Sequence, residues 1–225
     1  MIIIGSLHGN EKAGVKAINN VFEAIRERQI PINGQVYGIA GNLQAIEADE
    51  RFLDYDMNRS WKADHIDVLL KKDPTSLVNE DKEQIILMDL LDELSQGDYD
   101  QKFLIDLHTT SADNGNFIVH PGMPADDDLV RSLKLPVVMN LHEFLPGTLL
   151  HYMSDRGFGS FAFEGGQIGS KKAIEVHTLG VWELLIKSGI IAESDLPEEA
   201  GSYAELVSDL HATLPMTVKV LYRHE

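Results

Sequence analysis

The chain has no cysteine, so disulfides, thiolate metal sites, iron–sulfur clusters and cysteine nucleophiles are all excluded. Any metal must be held by His, Asp or Glu. Long apolar runs are missing as well: no stretch approaches the ~20 residues that span a bilayer. Met1-Ile2-Ile3-Ile4 gives way at once to Gly5 and His8, too short a run, with too little basic flank, for a secretion signal. A soluble, cytoplasmic protein with no membrane partner is expected. Basic side chains are scarce, with 19 Lys and Arg against 36 Asp and Glu, a formal charge of −17. That balance repels a phosphate backbone, and the basic residues form no stripe, so nucleic acid is not an expected partner. An anionic small molecule would need a local positive pocket. What is present, 44% hydrophobic and 24% charged residues over 225 positions, builds one large globular domain or two small ones.

Patterning alternates short β-branched runs with helical periods. Ile2 to Ile4 reads as a buried strand closed by Gly5. Val15, Ile18, Phe22 and Ile25 then fall at helical spacing within 11–28, and Pro31 with Asn33-Gly34 ends the pattern. Strands are expected over 36–40, 103–107, 117–119, 137–139, 160–163 and 217–222. Further helices are expected from Asn79 as cap to Ser95, around Tyr152 from Thr148, from Ser170 as cap to Gly189, and from Ser202 to about Thr213. The run Asp126-Asp127-Asp128 reads as a helix start or a solvated turn. The stretch 44–73 is charged and lacks clear periodicity. This alternation predicts a three-layer α/β/α domain with a mixed, largely parallel central sheet, in which sites gather at the carboxyl ends of strands.

His8, His108 and Glu164 each fall at such a strand end. His8-Gly9-Asn10-Glu11 can point an imidazole and a carboxylate at one cation, although chance supplies roughly one His-x-x-Glu pair in such a chain and a polar turn is the plain alternative. Asp106-Leu107-His108-Thr109-Thr110 adds a neutral ligand on a neighbouring strand, where a hydrogen-bonded histidine is the ordinary reading. Two His and one Glu with a vacant fourth position make a catalytic zinc set. In Asp54-Tyr55-Asp56-Met57-Asn58-Arg59, Arg59 offers a planar fork for a carboxylate and Asn58 a directional contact; paired surface charges would look alike. Phe161-Ala162-Phe163-Glu164 ends an apolar run in a carboxylate, an environment that makes a proton shuttle near neutral pH, unless Glu164 simply faces water beside Gly165-Gly166.

Taken in order, Gly5-Ser6-Leu7-His8-Gly9-Asn10-Glu11, Gly41-Asn42, Asp56-Met57-Asn58-Arg59, Asp106-Leu107-His108-Thr109-Thr110 and Glu164-Gly165 resemble the succinylglutamate desuccinylase/aspartoacylase family, a branch of the zinc carboxypeptidase-like hydrolases. The resemblance implies that His8, Glu11 and His108 bind one zinc ion, that Glu164 is general base and acid, and that Asn58 and Arg59 hold a substrate carboxylate. It further implies that Arg51 polarises the scissile carbonyl, that Asp56 orients His8, and that Arg156 matches a further substrate arginine. Residues 1–215 would form the catalytic domain and 216–225 would open a smaller β-rich domain. The implied activity is hydrolysis of the amide bond in a small anionic N-acyl amino acid. A carboxypeptidase acting on a peptide C-terminus, or a metal-binding protein without turnover, are the alternatives.

Overall fold

The computed structural model describes residues 1–113, 115–122, 128–198, 201–211 and 215–221. Seven strands form one sheet: β1 (Ile2–Gly5), β2 (Tyr37–Ala40), β3 (Phe103–Thr110), β4 (Phe117–His120), β5 (Val137–Met139), β6 (Gly159–Gln167) and β7 (Thr217–Lys219). Their order is β2-β1-β3-β6-β4-β5-β7. Every pairing is parallel except that between β4 and β6. The helices are α1 (Ala13–Arg28), α2 (Leu43–Ala48), α3 (Ala63–Leu69), α4 (Asn79–Leu94), α5 (Asp128–Ser132), α6 (Leu141–Phe144), α7 (Leu149–Ser154), α8 (Lys171–Lys187) and α9 (Tyr203–His211). The expected layered α/β architecture is present, and β7 is the outermost strand of this same sheet.

Strand alternation sorts the side chains into two cores. Ile3, Ile105, Leu107, Phe161 and Phe163 face α1 and α8, joining Ile18, Val21, Val176 and Trp182. Ile2, Ile4, Leu104 and Ala162 face the other way, onto Leu87, Met88 and Leu91 of α4 and Leu149, Leu150 and Met153 of α7. On the second face Asp106, His108 and Glu164 continue the even-numbered rows beyond the apolar ones. Sheet geometry therefore delivers polar groups to one end of one face.

Several boundaries differ from the sequence reading. His108 and Glu164 lie inside their strands, in direct register with each other, because β3 and β6 run further than their apolar cores. The aperiodic stretch contains two short helices, α2 and α3, and a 3-10 turn at Met57–Arg59. Val78, not Asn79, caps α4: the Asp81 carboxylate accepts the Val78 N–H at 3.0 Å, and Asn79 turns outward to Asp54. α5 begins at Asp128, while Asp126 and Asp127 lie outside the described residues, as do Thr213 and Tyr222.

Candidate metal centre

Beyond β1 the chain reverses at Ser6, whose φ of 58° is left-handed and unusual for a residue with a side chain. Its hydroxyl donates to the Glu11 carbonyl at 3.0 Å, which closes the turn. Gly9 is obligatory within it: a Cβ there would meet the Ala45 backbone of α2 at 2.1 Å. The Gly9 N–H donates to the Arg51 carbonyl at 3.0 Å, tying this turn to the loop that carries the arginines.

The turn brings His8 and Glu11 beside His108. One ligand atom from each of the three lies within 4.8 Å of the others, and all three residues are buried. Glu11 sits between the imidazoles, with Oε1 2.9 Å from His8 Nδ1 and Oε2 3.1 Å from His108 Nδ1. Oε2 also accepts the Thr109 N–H at 2.7 Å. Both rings thus turn Nδ1 inward, and both anchor Nε2 outward on a carboxylate. His8 Nε2 is 3.1 Å from Asp56, and His108 Nε2 is 2.7 Å from Asp106. Carboxylates so placed fix a ligand histidine's tautomer and raise its basicity. A metal fits here on structural grounds: buried His8 Nδ1 makes no hydrogen bond, despite its closeness to Glu11, and the donors are two imidazoles and a carboxylate.

Electrostatics follow from this crowding. Burial alone would raise the Glu11 pKa, but the two imidazoles hold it well below the usual carboxylate range. Burial would lower that of His108, yet the Asp106 and Glu11 carboxylates raise it well above the ordinary imidazole value. Glu164 stands alone by comparison. Its Oε2 is sealed from solvent with no hydrogen-bond partner, and burial pushes its pKa up to about 7. Beneath it, fully buried His177 of α8 lies 3.1 Å from the Phe163 carbonyl, and burial holds the ring neutral, its pKa lowered to about 4.

The loop residues complete the rim. Arg51 donates to Glu11 Oε1 at 3.1 Å and lies 3.4 Å from Asp56 Oδ2. Asn58 Oδ1 accepts the Leu149 N–H at 3.0 Å, while its Nδ2 stands 3.2 Å from His108 Nε2. Arg59 donates to the Asn58 carbonyl at 2.6 Å. These residues, with the metal cluster and Glu164, line one cavity of about 360 Å³. A larger cavity of about 630 Å³ lies at the opposite edge of the sheet, near Met1, Gln35 and Tyr99, and contains none of them.

Arg156 does not join the site. It precedes β6, whereas Glu164 lies past the middle of that strand, and about 3.3 Å of rise per residue puts the two toward opposite sheet edges. There its guanidinium stacks 3.4 Å from the centroid of the Tyr152 ring, with Asp92 3.9 Å away. Conversely, Asp106 and His177 carry roles that the sequence reading did not assign. Asp106 was legible in principle, because residues two apart on a strand share a face; His177 was not, being 69 positions from His108 on a different helix.

Fold and site together define the class: a carboxypeptidase-like α/β protein with a buried His-Glu-His set at the carboxyl ends of its central strands. Succinylglutamate desuccinylase from Chromobacterium violaceum shares the fold with a TM-score of 0.67 at 20% identity, over 88% of this chain and 64% of that one. The tripeptide-bound cell shape determinant Csd4 of Helicobacter pylori shares it at 0.63 and 14% identity, over 84% of this chain and 51% of that one. The chain belongs to the succinylglutamate desuccinylase/aspartoacylase family, whose catalytic-domain model matches residues 1–171. A probable aspartoacylase of Trichodesmium erythraeum is 27% identical over 174 residues, 75% of this chain and 56% of the relative. A succinylglutamate desuccinylase of Shewanella putrefaciens is 23% identical over 172 residues, 72% of this chain and 48% of the relative. The chain therefore spans about half the length of these curated relatives. Among the described residues, no helix is long and apolar enough to cross a membrane.

Proposed function

We propose that this chain carries the catalytic centre of a zinc-dependent, cytoplasmic amidohydrolase that cleaves the amide bond of a small N-acyl amino acid. The observation that carries the reading is the convergence of His8, Glu11 and His108 beside Glu164, whose Oε2 is sealed from solvent without a hydrogen-bond partner. One zinc ion held by the three ligands supplies Lewis acidity and lets water ionise near neutral pH. Glu164, with a pKa of about 7, takes a proton from the attacking water and returns it to the leaving amine, which could not depart as an anion. Arg51, already beside Glu11, neutralises the charge that develops on the carbonyl oxygen. Asp56 and Asp106 hold the two imidazoles in the ligating tautomer. Arg59, with Asn58 next to it, takes the substrate carboxylate in bidentate fashion. A small anion of this kind tolerates a chain of net charge −17 because it meets these arginines locally.

Metal analysis followed by amine-release assays over N-acyl amino acids and short peptides tests the reading. Glu164→Ala should retain the metal and lose at least about 10³ in turnover, and His108→Ala should lose the metal. Near-normal turnover in Glu164→Ala would remove that residue from the mechanism. Preferential cleavage of peptides would make the protein a carboxypeptidase instead.

A further inference from the structure

α8 and β6 interlock behind Glu164, on the sheet face opposite to the site. The Phe163 ring occupies the space a Cβ on Gly180 would need, at 2.1 Å, and the His177 ring occupies that of Gly165, at 2.3 Å. The two rings meet edge to face with centroids 5.2 Å apart. Each glycine thus admits a ring from the other element, and helix and strand come closest at the two residues that flank Glu164. At the same place β6 leaves its register. His108 pairs with Glu164 but Thr110 with Gln167, so Gly165 and Gly166 stand against Thr109 alone, as in a β-bulge. Gly166 has a φ of 105°, which glycine adopts at no steric cost, and its carbonyl is 3.4 Å from the Thr110 hydroxyl. A bulge re-aims the side chain beside it and interrupts the ladder that would otherwise hold the strand.

His177 is placed to supply what the ladder gives up. It is fully buried, and its Nε2 donates to the Phe163 carbonyl at 3.1 Å. The neutral ring has one proton and a carbonyl can only accept, so that proton is on Nε2. Nδ1 is left buried without a hydrogen-bond partner. An idle buried nitrogen is a cost that a leucine of similar size would avoid. Packing alone therefore does not call for histidine here, whereas the donated hydrogen bond does.

We infer that His177 is a positioning residue: by holding the Phe163 carbonyl while its ring fills the hollow at Gly165, it fixes the bulge of β6. The bulge in turn sets the aim of Glu164 into the cavity it shares with the metal ligands. The inference rests on the hydrolase reading above and adds to it a residue that never touches substrate. Small errors of aim matter here, since a misplacement of about 1 Å at a reacting group can cost about a hundredfold in rate.

The test follows amine release from N-acetyl-L-aspartate and N-succinyl-L-glutamate by the zinc-loaded protein. His177→Leu, or His177→Met should the first fail to fold by circular dichroism, removes the donor and keeps the volume. Its kcat should fall at least about tenfold with KM and zinc content held within about twofold. His177→Gln, which returns an N–H donor, should recover kcat to within about threefold of the wild type. Leu184→Ala, a core truncation on the same helix, serves as control: it should lower the melting temperature and leave kcat in place. An unchanged kcat in the leucine variant, a change confined to KM, or an equal loss in Leu184→Ala overturns the inference. So does a folded glutamine variant no faster than leucine; should it not fold, the comparison of His177→Leu with Leu184→Ala decides. Cleavage of neither compound by the wild type counts against the hydrolase reading and not against the positioning. Crystal structures of wild type and His177→Leu then decide: a shift of the Glu164 carboxyl by more than about 1 Å upholds the inference, and an unmoved carboxyl overturns it.

Discussion

Strands hold one half of this site and a loop holds the other, and the two halves are secured by different physics. His108 and Glu164 stand on neighbouring central strands, and their register alone sets them side by side. Arg51, Asp56, Asn58 and Arg59 ride on a segment with little regular structure. That segment is gripped from behind by buried polar side chains in the first turns of α4. Glu80 accepts the Leu53 and Asp54 N–H groups, both at 2.8 Å, and the Asn42 amide at 3.1 Å. Gln84 donates to the Ser60 carbonyl at 2.9 Å, and Asp81 binds Lys72 at 2.8 Å and the Tyr55 hydroxyl at 3.1 Å. A sheet needs no such help, because its ladder satisfies the backbone; an irregular loop needs a side-chain partner for each N–H it turns away from water. The difference teaches that the arginine half depends on side-chain hydrogen bonds, and the strand half on sheet register and close packing.

The comparison can be broken most forcefully at Glu80. Glu80→Ala strands three donors and should cost about 4 kcal/mol in urea unfolding. It should also lower kcat/KM at least about tenfold while metal content holds, since Arg51 lies two residues from Leu53; intact kinetics would show that the loop stands unaided.

Protonation sharpens the contrast on the strand side, because Glu164 Oε2 lacks the partners that Glu80 and Asp81 of α4 have. Its folded pKa of about 7 exceeds the ordinary 4.5, so its stability contribution is whole below about pH 4.5, shrinks as pH rises and levels off above about 7. In metal-free protein, Glu164→Gln should escape a loss of about 3 kcal/mol between pH 4.5 and 8. Parallel denaturation curves for the two proteins across that range would contradict the assigned burial.

Packing is probed by Gly165→Ala. The added Cβ would meet His177 Nε2 at 2.3 Å, and both groups are buried. A loss of about 2 kcal/mol is expected, with turnover reduced through displacement of Glu164 and KM unchanged. The smallest effect belongs to Arg156→Ala, which removes an exposed cation from the Tyr152 ring. It should cost less than about 1 kcal/mol and leave kcat/KM unaltered, as measured by thermal melts and the amine-release assay.

Legibility followed the same division. The strand-borne residues were readable because apolar runs announce strands and a polar residue ending such a run stands out, as His108 and Glu164 do. The helices were readable from their periods to within a few residues. The stretch 44–73 resisted, since its conformation answers to α4 and to Gly9 rather than to its own neighbours. Arg156 shows the limit of spacing: eight positions before Glu164 looked close in sequence, but a strand turned them into a long separation.

By itself the sequence determined an α/β layering, the absence of thiolate chemistry, and a set of His, Glu and Arg residues able to serve a metal and an anion, because composition and period are local properties. Only the tertiary structure decided that Asp106 would take the outer nitrogen of His108, that His177 would sit beneath Gly165, and that buried side chains of α4 would hold the loop that carries the arginines. Those outcomes depend on which surfaces meet across the sheet, and contact between distant segments is set by packing of the whole chain.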